Sequence, residues 1–254
     1  MIIDTHCHLY LPQFKADIQE VMKRAASAGV ERFYLPAIDS STTNDMLLLE
    51  EQFKGKCFSM IGLHPCSVSD NVNKELEMVH SWLQQRSFAA VGEIGLDFYH
   101  DITFKETQFM AFRTQIDWAL EYNLPIVIHS RNAMRETIDL INEYKGKGLN
   151  GIFHCFSGNE NDAGEIIEAG FYLGIGGVVT YKNSGLAEVI ERTSLEHLVL
   201  ETDAPYLAPM PFRGKRNESA YLRNIAGRIS EIKGVEIDEV VEITTANAKK
   251  IFDN

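Results

Sequence analysis

The sequence predicts an α/β protein with a (β/α)8 barrel fold, and three observations support this prediction. Short apolar segments rich in β-branched and aromatic residues recur along the chain, and longer amphipathic segments separate them. Strands that alternate with helices in this way are typical of parallel βαβ units. The short segments are also almost continuously hydrophobic, as expected where both faces of a parallel sheet are buried.

The predicted elements alternate from the first residue to the end of the chain. The predicted strands are Met1–Asp4, Arg32–Ala37, Cys57–Leu63, Ala89–Ile94, Pro125–His129, Gly151–His154, Tyr172–Ile175 and Leu198–Glu201. The predicted helices are Phe14–Ser27, Ser41–Phe53, Lys74–Gln85, Phe104–Tyr122, Asn132–Tyr144, Glu160–Ala169, Ser184–Arg192, Glu218–Lys233 and a final helix, Ile237–Phe252. No Pro/Gly/Ser-rich linker or low-complexity tract interrupts them, so a single domain over residues 1–254 is predicted.

An open, doubly wound sheet is the competing architecture. Such folds usually carry a glycine-rich phosphate loop directly after the first strand. Here the first strand leads into Asp4-Thr5-His6-Cys7-His8 instead. This segment and the number of predicted strands favour the barrel.

Composition restricts the function classes. The net charge of −12 disfavours a broad duplex-binding surface, although a local cation or metal cluster could still hold a phosphate. The amino terminus lacks the basic region of a signal peptide, and no apolar run approaches the ~20 residues of a membrane span. The four cysteines form no CxxC pair and are interpreted as reduced thiols. We therefore predict a cytoplasmic protein without membrane association, and nothing indicates an obligate protein partner.

The first chemically informative pair is His6 and His8, at the end of the first predicted strand. Residues two apart on a strand point to the same side, so both imidazoles are expected to face the mouth of the barrel. Two such imidazoles make half of a site for a divalent metal. Taken alone, the pair is equally compatible with ordinary packed or surface histidines.

Other predicted strands end in residues of the same kind, and the carboxyl ends of the strands form the active face of such barrels. These residues are Glu93, His129, His154, Glu201 and Asp203. A carboxylate between two glycines, as in Gly92-Glu93-Ile94-Gly95, is an unusual choice for packing, because a buried carboxylate is costly unless it is paired or metal-bound. Histidines and carboxylates that converge on one rim indicate a metal centre.

The number of potential ligands predicts two divalent ions. The predicted metal ligands are His6, His8, Glu93, His129, His154 and Asp203. They offer more donors than one tetrahedral ion accepts, and Glu93 could bridge two ions ~3.5–4 Å apart that share an activated water. The predicted catalytic residues are Asp203, Glu201 and Glu93. Asp203 could also accept the proton of that water, and Glu201 could be a further ligand or have a supporting role. Carboxylates suit Mg²⁺ or Mn²⁺, and the histidines also allow Zn²⁺.

Several residues are predicted to contact the substrate. His64, after the third strand, is a candidate contact or general acid, and Arg131 could bind a phosphate oxygen or pair with a carboxylate. The loop after the last strand carries Arg213, Lys215 and Arg216, which could hold a nucleic-acid backbone or simply be solvated.

These residues together resemble the TatD family of metal-dependent deoxyribonucleases, within the amidohydrolase-like barrels. The resemblance covers essentially the whole chain and rests on DTHCHL at 4–9, GLHP at 62–65, GEIGLDF at 92–98, HSR at 129–131, HCFSG at 154–158 and ETDAPYL at 201–207. It implies hydrolysis of DNA phosphodiester bonds with magnesium or a similar ion, often at 3′ ends, with the six ligands predicted above. It also implies that Glu201, His64 and Arg131 lie near the substrate. One departure is Asn217-Glu218-Ser219, where the family usually has Asn-Glu-Pro, and the lost proline is expected to loosen the start of the next helix.

Three hypotheses follow, in order of preference. The first is a dinuclear phosphodiesterase whose partner is DNA, as single strands or 3′ ends. The second is an amidohydrolase that cleaves a cyclic amide, lactone or phosphotriester in the same metal cage. The third is a binding protein that kept the barrel without catalysis, which the complete set of six ligands disfavours.

Overall fold

The computed structural model describes residues 1–253, so residue 254 of the predicted domain lies outside the described part. The strands are β1 (Ile2–Asp4), β2 (Val30–Leu35), β3 (Cys57–Ser59), β4 (Val91–Asp97), β5 (Ile126–Arg131), β6 (Gly151–Phe153), β7 (Phe171–Ile175) and β8 (Leu198–Leu200). The helices are α1 (Ile18–Ser27), α2 (Ser40–Gln52), α3 (Val72–Gln85), α4 (Lys105–Glu121), α5 (Met134–Asn142), α6 (Glu160–Glu168), α7 (Leu186–Arg192), α8 (Leu222–Lys233) and α9 (Ile237–Phe252). Every predicted strand and helix is present, and most have one or both ends shifted.

The strands are parallel and follow one another around a ring. One sheet has the order β1-β2-β3 and a second has the order β4-β5-β6-β7-β8. Backbone hydrogen bonds join the two sheets at both edges. The amide of Gly92 donates to the carbonyl of Ile61 (2.9 Å), and the amide of Thr5 donates to the carbonyl of Leu200 (3.1 Å). The fold is therefore the predicted (β/α)8 barrel, and the open doubly wound sheet is excluded.

Apolar side chains fill the barrel from its amino-terminal end. A buried cluster unites strand residues with two residues of the last helix: Ile3, Tyr34, Met60, Ala90, Val127, Ile152, Val199, Ala248 and Ile251. A larger cluster packs the outer faces of the strands against the helices. Because α9 occupies the amino-terminal end of the barrel, only the carboxyl-terminal end is left for polar side chains.

Two predicted helices begin four residues later than expected. The segment Pro12–Phe14 forms a separate 3-10 turn, so the helix predicted from Phe14 begins at Ile18. Similarly, Ser219–Tyr221 forms a 3-10 turn before α8. In both places a short turn with its own hydrogen bonds replaces the first turn of the α-helix.

The loosening expected from Ser219 is not observed, because its neighbours are anchored. The side-chain amide of Asn217 donates to the carbonyls of Thr202 and Tyr206, both at 2.7 Å. The carboxylate of Glu218 pairs with Arg24 at 2.6 Å. Side-chain hydrogen bonds and one ion pair therefore fix the start of this element, and no proline is needed.

Two expectations from composition concern membranes and thiols. Among the helices of residues 1–253, none combines the length and the apolar character needed to cross a membrane. The four cysteines lie within the described residues and are all free thiols.

Candidate metal centre

The candidate centre lies at the carboxyl-terminal end of the barrel, and its first two residues follow β1. The strand ends at Asp4, before the histidines that were predicted to close it. The backbone nevertheless continues along the barrel wall, because the amide of His8 donates to Ala204 (2.7 Å) and the amide of Asp203 donates to His6 (2.9 Å). The two imidazoles converge as predicted, with their Nε2 atoms 3.3 Å apart.

Glu93 projects into the same space from an irregular position in β4. The pairing of β4 with β5 shifts between Gly92 and Ile94, so Glu93 falls at the break in register. Such irregularities re-aim a side chain and are frequent next to active sites. Gly95 allows β5 to approach closely, because its φ is +144° and a Cβ there would overlap the carbonyl oxygen of His129. The glycines beside Glu93 thus allow neighbouring backbone to approach closely, and the side chain of Glu93 projects into the cavity.

The two oxygens of Glu93 face two different groups of side chains. In the first group, Oε2 lies 3.2 Å from Nε2 of His6 and 3.7 Å from Nε2 of His8. Asp203 contributes Oδ1, which lies 3.8 Å and 3.4 Å from the same two nitrogens. Four potential ligand atoms therefore surround one point.

In the second group, Oε1 of Glu93 is the shared atom. It lies 2.8 Å from Nδ1 of His129 and 3.9 Å from Nε2 of His154. The His154 Nε2 atom also lies 3.8 Å from Oδ1 of Asp203, which links the second group to the first. All six predicted ligands therefore meet in one cluster, with Glu93 at its centre.

These separations suit divalent ions. Ligands about 2.0–2.2 Å from a tetrahedral ion lie about 3.3–3.6 Å from one another. The separations in the first group, 3.2–3.8 Å, are of that size. Imidazole nitrogens and carboxylate oxygens are also the donors such ions take in proteins. The residues present therefore fit a metal centre.

Hydrogen bonds behind the imidazoles orient them toward the cluster. Nδ1 of His8 lies 2.9 Å from the hydroxyl of Tyr10, which itself donates to the carbonyl of Pro36 at 2.6 Å. Since the tyrosine proton is engaged, Nδ1 of His8 must donate, and its Nε2 lone pair faces the cluster. Asp97 plays the same part for His129, with Oδ2 2.9 Å from Nε2. Carboxylate or hydroxyl partners of this kind fix the tautomer of metal-binding histidines.

Glu201 lies behind His154 as its ion-pair partner. Its side chain is fully buried, and Oε1 lies 3.0 Å from Nδ1 of His154. The same oxygen accepts a hydrogen bond from the amide of Cys155 at 2.6 Å. Glu201 was expected among the catalytic residues and near the substrate. Its position behind His154 instead makes it a positioning residue, because the imidazole lies between it and the cavity.

The charges of the cluster are set by its own members. Burial would raise the pKa of Glu93, but the imidazoles of His6 and His64 help to hold it well below its usual value. Burial likewise opposes ionisation of Asp203, but the nearby imidazoles of His8 and His154 lower its pKa. Both carboxylates are therefore anions in a buried setting, which requires nearby positive charge.

In the metal-free chain that positive charge comes from His154. Burial would lower the pKa of His154, but the charges of Glu201 and then Glu93 raise it to about 10. The imidazole is therefore protonated at neutral pH. A metal ion that binds here must displace this proton.

His64 stands beside the second group with a different orientation. Its Nε2 lies 3.5 Å from Oε1 of Glu93, and its Nδ1 accepts a hydrogen bond from the amide of Cys66 at 3.0 Å. Burial lowers its pKa, so the ring is neutral. A neutral ring that accepts at Nδ1 carries its proton on Nε2, which lies beside Oε1 of Glu93 and 3.3 Å from Nδ1 of His129.

The cluster forms the floor of a cavity of about 540 Å³. His64 and Arg131 line it, and the guanidinium of Arg131 lies over the ring of Tyr99, 3.9 Å from its centre. Tyr206 lines the cavity opposite and is 48% exposed. A cation and exposed aromatic rings therefore border the opening.

The three basic residues of the loop predicted to hold substrate are not part of this cavity lining. Arg216 forms an ion pair with Asp17 at 2.7 Å and donates to the carbonyl of Gln13 at 2.6 Å, so it anchors the loop to the turn before α1. The expected substrate contact of Arg216 is thereby corrected. Arg213 is exposed and lies over the ring of Tyr181, and Lys215 is exposed.

Sequence reasoning missed three residues of the site. Asp97 belongs to the GEIGLDF motif and lies four positions after Glu93, so strand periodicity could have placed both on one side of β4. Tyr10 follows His8 by two positions, but outside a strand this spacing carries no comparable signal. Tyr206 belongs to the ETDAPYL motif, and its exposure could not be read from the sequence.

A (β/α)8 barrel whose strands carry histidines and carboxylates to one cavity is the architecture of metal-dependent hydrolases. The family model described as "TatD related DNase" matches residues 3–253 of this chain. An uncharacterized metal-dependent hydrolase, YabD of Bacillus subtilis (strain 168), is 39% identical over 99% of both chains. The 3'-5' ssDNA/RNA exonuclease TatD of Pectobacterium parmentieri (strain WPP163) is 32% identical over 99% of both.

A solved structure agrees with these relatives. The crystal structure of YJJV, a TatD homologue from Escherichia coli K12, superimposes with a TM-score of 0.93 at 30% identity, covering 100% of this chain and 98% of that one. The chain belongs to the TatD related DNase family and is a metal-dependent hydrolase.

Proposed function

We propose that this protein is a deoxyribonuclease that hydrolyses phosphodiester bonds at the 3′ ends of single-stranded DNA, using two divalent ions such as Mg²⁺ or Mn²⁺. One observation carries the proposal: anionic metal ligands form the cavity floor, while a guanidinium and an imidazole N–H face the same cavity from its wall. Cations on the floor and donors on the wall together suit a phosphate diester.

The proposed ligands divide between two ions through Glu93. His6, His8 and Asp203 would hold one ion with Oε2 of Glu93, and His129 and His154 would hold the other with Oε1. When bound, such ions polarise a phosphate oxygen and lower the pKa of water. The resemblance to the family implies these six ligands, and the separations of the donor atoms in the first group suit one of the two ions.

Asp203 is the proposed proton acceptor. It is ionised, and its side chain retains 14% exposure toward the cavity, whereas that of Glu93 retains only 3%. A carboxylate that reaches the cavity can take a proton from the attacking water. Glu93 is the proposed bridge that keeps the cluster together.

Arg131 and His64 are the proposed phosphate contacts. The ring of Tyr99 beneath Arg131 restricts the guanidinium to the cavity edge, where its planar fork can meet two phosphate oxygens. His64 donates from Nε2 and, being neutral, does not repel the metal ions. Both groups therefore favour an anionic ester over a neutral amide or lactone.

Exposed aromatic rings support a single-stranded substrate. Tyr206 and Tyr99 are 48% and 59% exposed beside the opening. Unpaired bases stack on such rings at about 1–3 kcal/mol each, whereas paired bases in a duplex do not offer their faces. The name of the Pectobacterium relative, a 3'-5' ssDNA/RNA exonuclease, is consistent with this preference.

The proposal is tested by release of nucleotides from 3′-labelled single-stranded DNA, duplex DNA and RNA, with Mn²⁺ or Mg²⁺ and after EDTA treatment. We expect metal-dependent release from single strands and a loss of about 10²–10⁴ in kcat for Asp203→Asn. Arg131→Ala should raise KM at least about tenfold, the equivalent of one lost charged hydrogen bond. Arg216→Ala is the matched control, since its guanidinium binds Asp17 and not the cavity.

Three outcomes would reject the proposal. These are no metal-dependent release by clean protein, unchanged rates in Asp203→Asn, and turnover of cyclic amides, lactones or phosphotriesters without turnover of DNA. Faster turnover of RNA than of DNA would show that RNA, and not DNA, is the preferred substrate.

A further inference from the structure

Beyond the proposed ligands, three further side chains of types that bind metals meet beside the same cavity. They are Cys66, in the 3-10 turn Pro65–Ser67 after β3, Asp97, the last residue of β4, and His100, in the loop that follows. The Cys66 Sγ atom lies 3.3 Å from Oδ2 of Asp97 and 3.5 Å from Nδ1 of His100. The Nδ1 of His100 lies 3.0 Å from Oδ2 of Asp97. The three ligand atoms thus form a triangle.

We propose that Cys66, Asp97 and His100 form a third cation site, which takes a thiophilic divalent ion such as Zn²⁺ or Cd²⁺. A tetrahedral ion with bonds of about 2.3 Å to sulfur and about 2.0 Å to nitrogen or oxygen separates its ligands by about 3.3–3.6 Å. The triangle has sides of 3.0–3.5 Å, so little movement is needed.

The ligand types decide which ion the site takes. Thiolate and imidazole together select zinc-like ions, whereas magnesium and calcium take oxygen ligands. Asp97 is 1% exposed, whereas Cys66 and His100 are exposed and also line the cavity. The ion would therefore have three protein ligands, one of them rigid, and a fourth position open to solvent.

Binding requires one proton to leave. Burial, assisted by the charge of Asp97, raises the pKa of the Cys66 thiol to about 12, so the thiol is protonated without an ion. The incoming ion forms a bond to sulfur, and the thiol proton passes to solvent. No group is oxidised or reduced, and His100 offers the lone pair of Nδ1 to the ion.

The site is connected to the main centre by one oxygen. Oδ2 of Asp97 also lies 2.9 Å from Nε2 of His129, a proposed ligand of the second ion. An ion on this oxygen withdraws negative charge from the hydrogen bond that makes His129 a good ligand. Occupancy of the third site is therefore expected to slow the metal-dependent reaction. This consequence rests on the proposed function, whereas the cation site does not.

The cation site is tested on the full chain with Cd²⁺, by counting bound ions after equilibrium dialysis and by the thiolate-to-cadmium charge-transfer absorption. Compared with the Cys66→Ser variant, the wild-type chain should bind one more Cd²⁺ and show an absorption band that the variant lacks. His100→Gln should weaken the binding that produces this band at least tenfold. His80→Gln is the matched control, because His80 stacks on Trp118 and has no place in the triangle.

An equal ion count and an equal band in the wild type and Cys66→Ser would overturn the site. The absence of any band in the wild type would overturn it too, and would leave the triangle as hydrogen bonds alone. These readouts do not involve DNA, so they stand whether or not the protein is a nuclease.

The link to the main centre is tested by inhibition. With Mn²⁺ present, added Zn²⁺ should slow wild-type turnover of single-stranded DNA at least about fivefold more than that of Cys66→Ser, each relative to its own zinc-free rate. Equal inhibition of both, in protein whose Cys66-dependent ion is demonstrated, would overturn the link through Asp97. The absence of any turnover by the wild type with Mn²⁺ and without Zn²⁺ would instead refute the proposed function.

Discussion

The two ring nitrogens of His8 have different partners, and as a result Nε2 is left available to bind a metal. Tyr10 receives Nδ1–H, because its own proton goes to the carbonyl of Pro36. Burial raises the pKa of Tyr10, so its hydroxyl remains protonated and this chain of hydrogen bonds keeps one direction. The lone pair of Nε2 is thereby left for the cluster.

Replacement of Tyr10 by phenylalanine should weaken metal binding while the fold is kept. The variant lacks the group that fixes the tautomer of His8, and losses of this kind cost about 10–100-fold in metal affinity. Calorimetric titration of EDTA-treated protein with Mn²⁺ measures the effect. Tyr172→Phe, on β7, is the control and should bind as the wild type does. Equal affinity of both variants would show that Tyr10 does not orient His8.

The pair of His154 and Glu201 makes the stability of the metal-free protein depend on pH. The folded-state pKa of His154, about 10, lies above the ordinary value of 6.5. Its contribution to stability is therefore fully present below about pH 6.5 and is lost as the pH rises through about 10. Metal binding should release protons over the same range, and metal affinity should rise with pH.

Glu201→Gln should remove most of this dependence. The amide of glutamine leaves a polar group without a partner, since Oε2 of Glu201 has none among the described residues, but that cost does not vary with pH. The difference in unfolding free energy between wild type and variant should therefore shrink from pH 6.5 to pH 10. We expect a change of at least about 1.4 kcal/mol, the equivalent of one pKa unit. Urea unfolding of EDTA-treated proteins measures it, and a constant difference would contradict the role of this pair.

At the scale of elements, the alternation of side chains along a strand explains the direction of the site residues on most of the strands involved. Interior apolar residues are followed two positions later by interior polar ones, as in Val127 and His129 on β5 or Ile152 and His154 at β6. Alternation along a strand therefore explains these residues. It does not explain His6, because β1 has ended at Asp4 and the following turn sets its direction.

A neighbouring strand also leaves space for the site. Gly174 on β7 faces Glu201, and a Cβ at this position would overlap Oε2 of the buried carboxylate. Gly174→Ala should therefore displace Glu201 from His154, destabilise the protein by about 1–3 kcal/mol and weaken metal binding.

The matched control is Gly164→Ala on α6. No atom lies within 4 Å of its added Cβ, and alanine in a helix should stabilise by up to about 1 kcal/mol. Urea unfolding and Mn²⁺ titration are measured for both variants. A Gly174→Ala protein that binds metal as tightly as Gly164→Ala would contradict the tight packing around Glu201.

For the whole molecule, the proposed metal centre joins the carboxyl ends of strands that are far apart in sequence. Its ligands lie at or after β1, β4, β5, β6 and β8, and the segment after β1 pairs with the segment after β8. Because the first and last strands close the same ring, we propose that the described residues unfold as one unit. An ion bound to ligands from several strands should then stabilise the entire barrel.

Removal of metal should lower the melting temperature without changing the number of transitions. At a metal concentration of about 100 times Kd, the expected stabilisation is about 2.7 kcal/mol. This corresponds to roughly 5–10 °C for a chain of this size. Calorimetry with Mn²⁺ and with EDTA measures the shift, and Glu93→Gln should abolish most of it. Two separate transitions would contradict a single unit, and an unchanged melting temperature would contradict metal binding by the folded chain.

The sequence by itself determined the barrel and the convergence of six potential ligands. Local periodicity and apolar runs depend on neighbours along the chain, so the alternation of strands and helices was readable before any contact was known. The convergence of residues such as Glu93, His129 and His154 followed from their place at strand ends, because parallel strands bring those ends together.

The tertiary structure alone decided what each polar group meets. Arg131 and Arg216 are both cations near predicted site motifs, but only Arg131 lines the cavity, since Arg216 is neutralised by Asp17. Glu201 and Asp203 are two residues apart, yet one lies behind His154 and the other faces the cavity. Hydrogen bonds and ion pairs join residues distant in sequence, and their formation depends on atomic distances that only the folded chain sets.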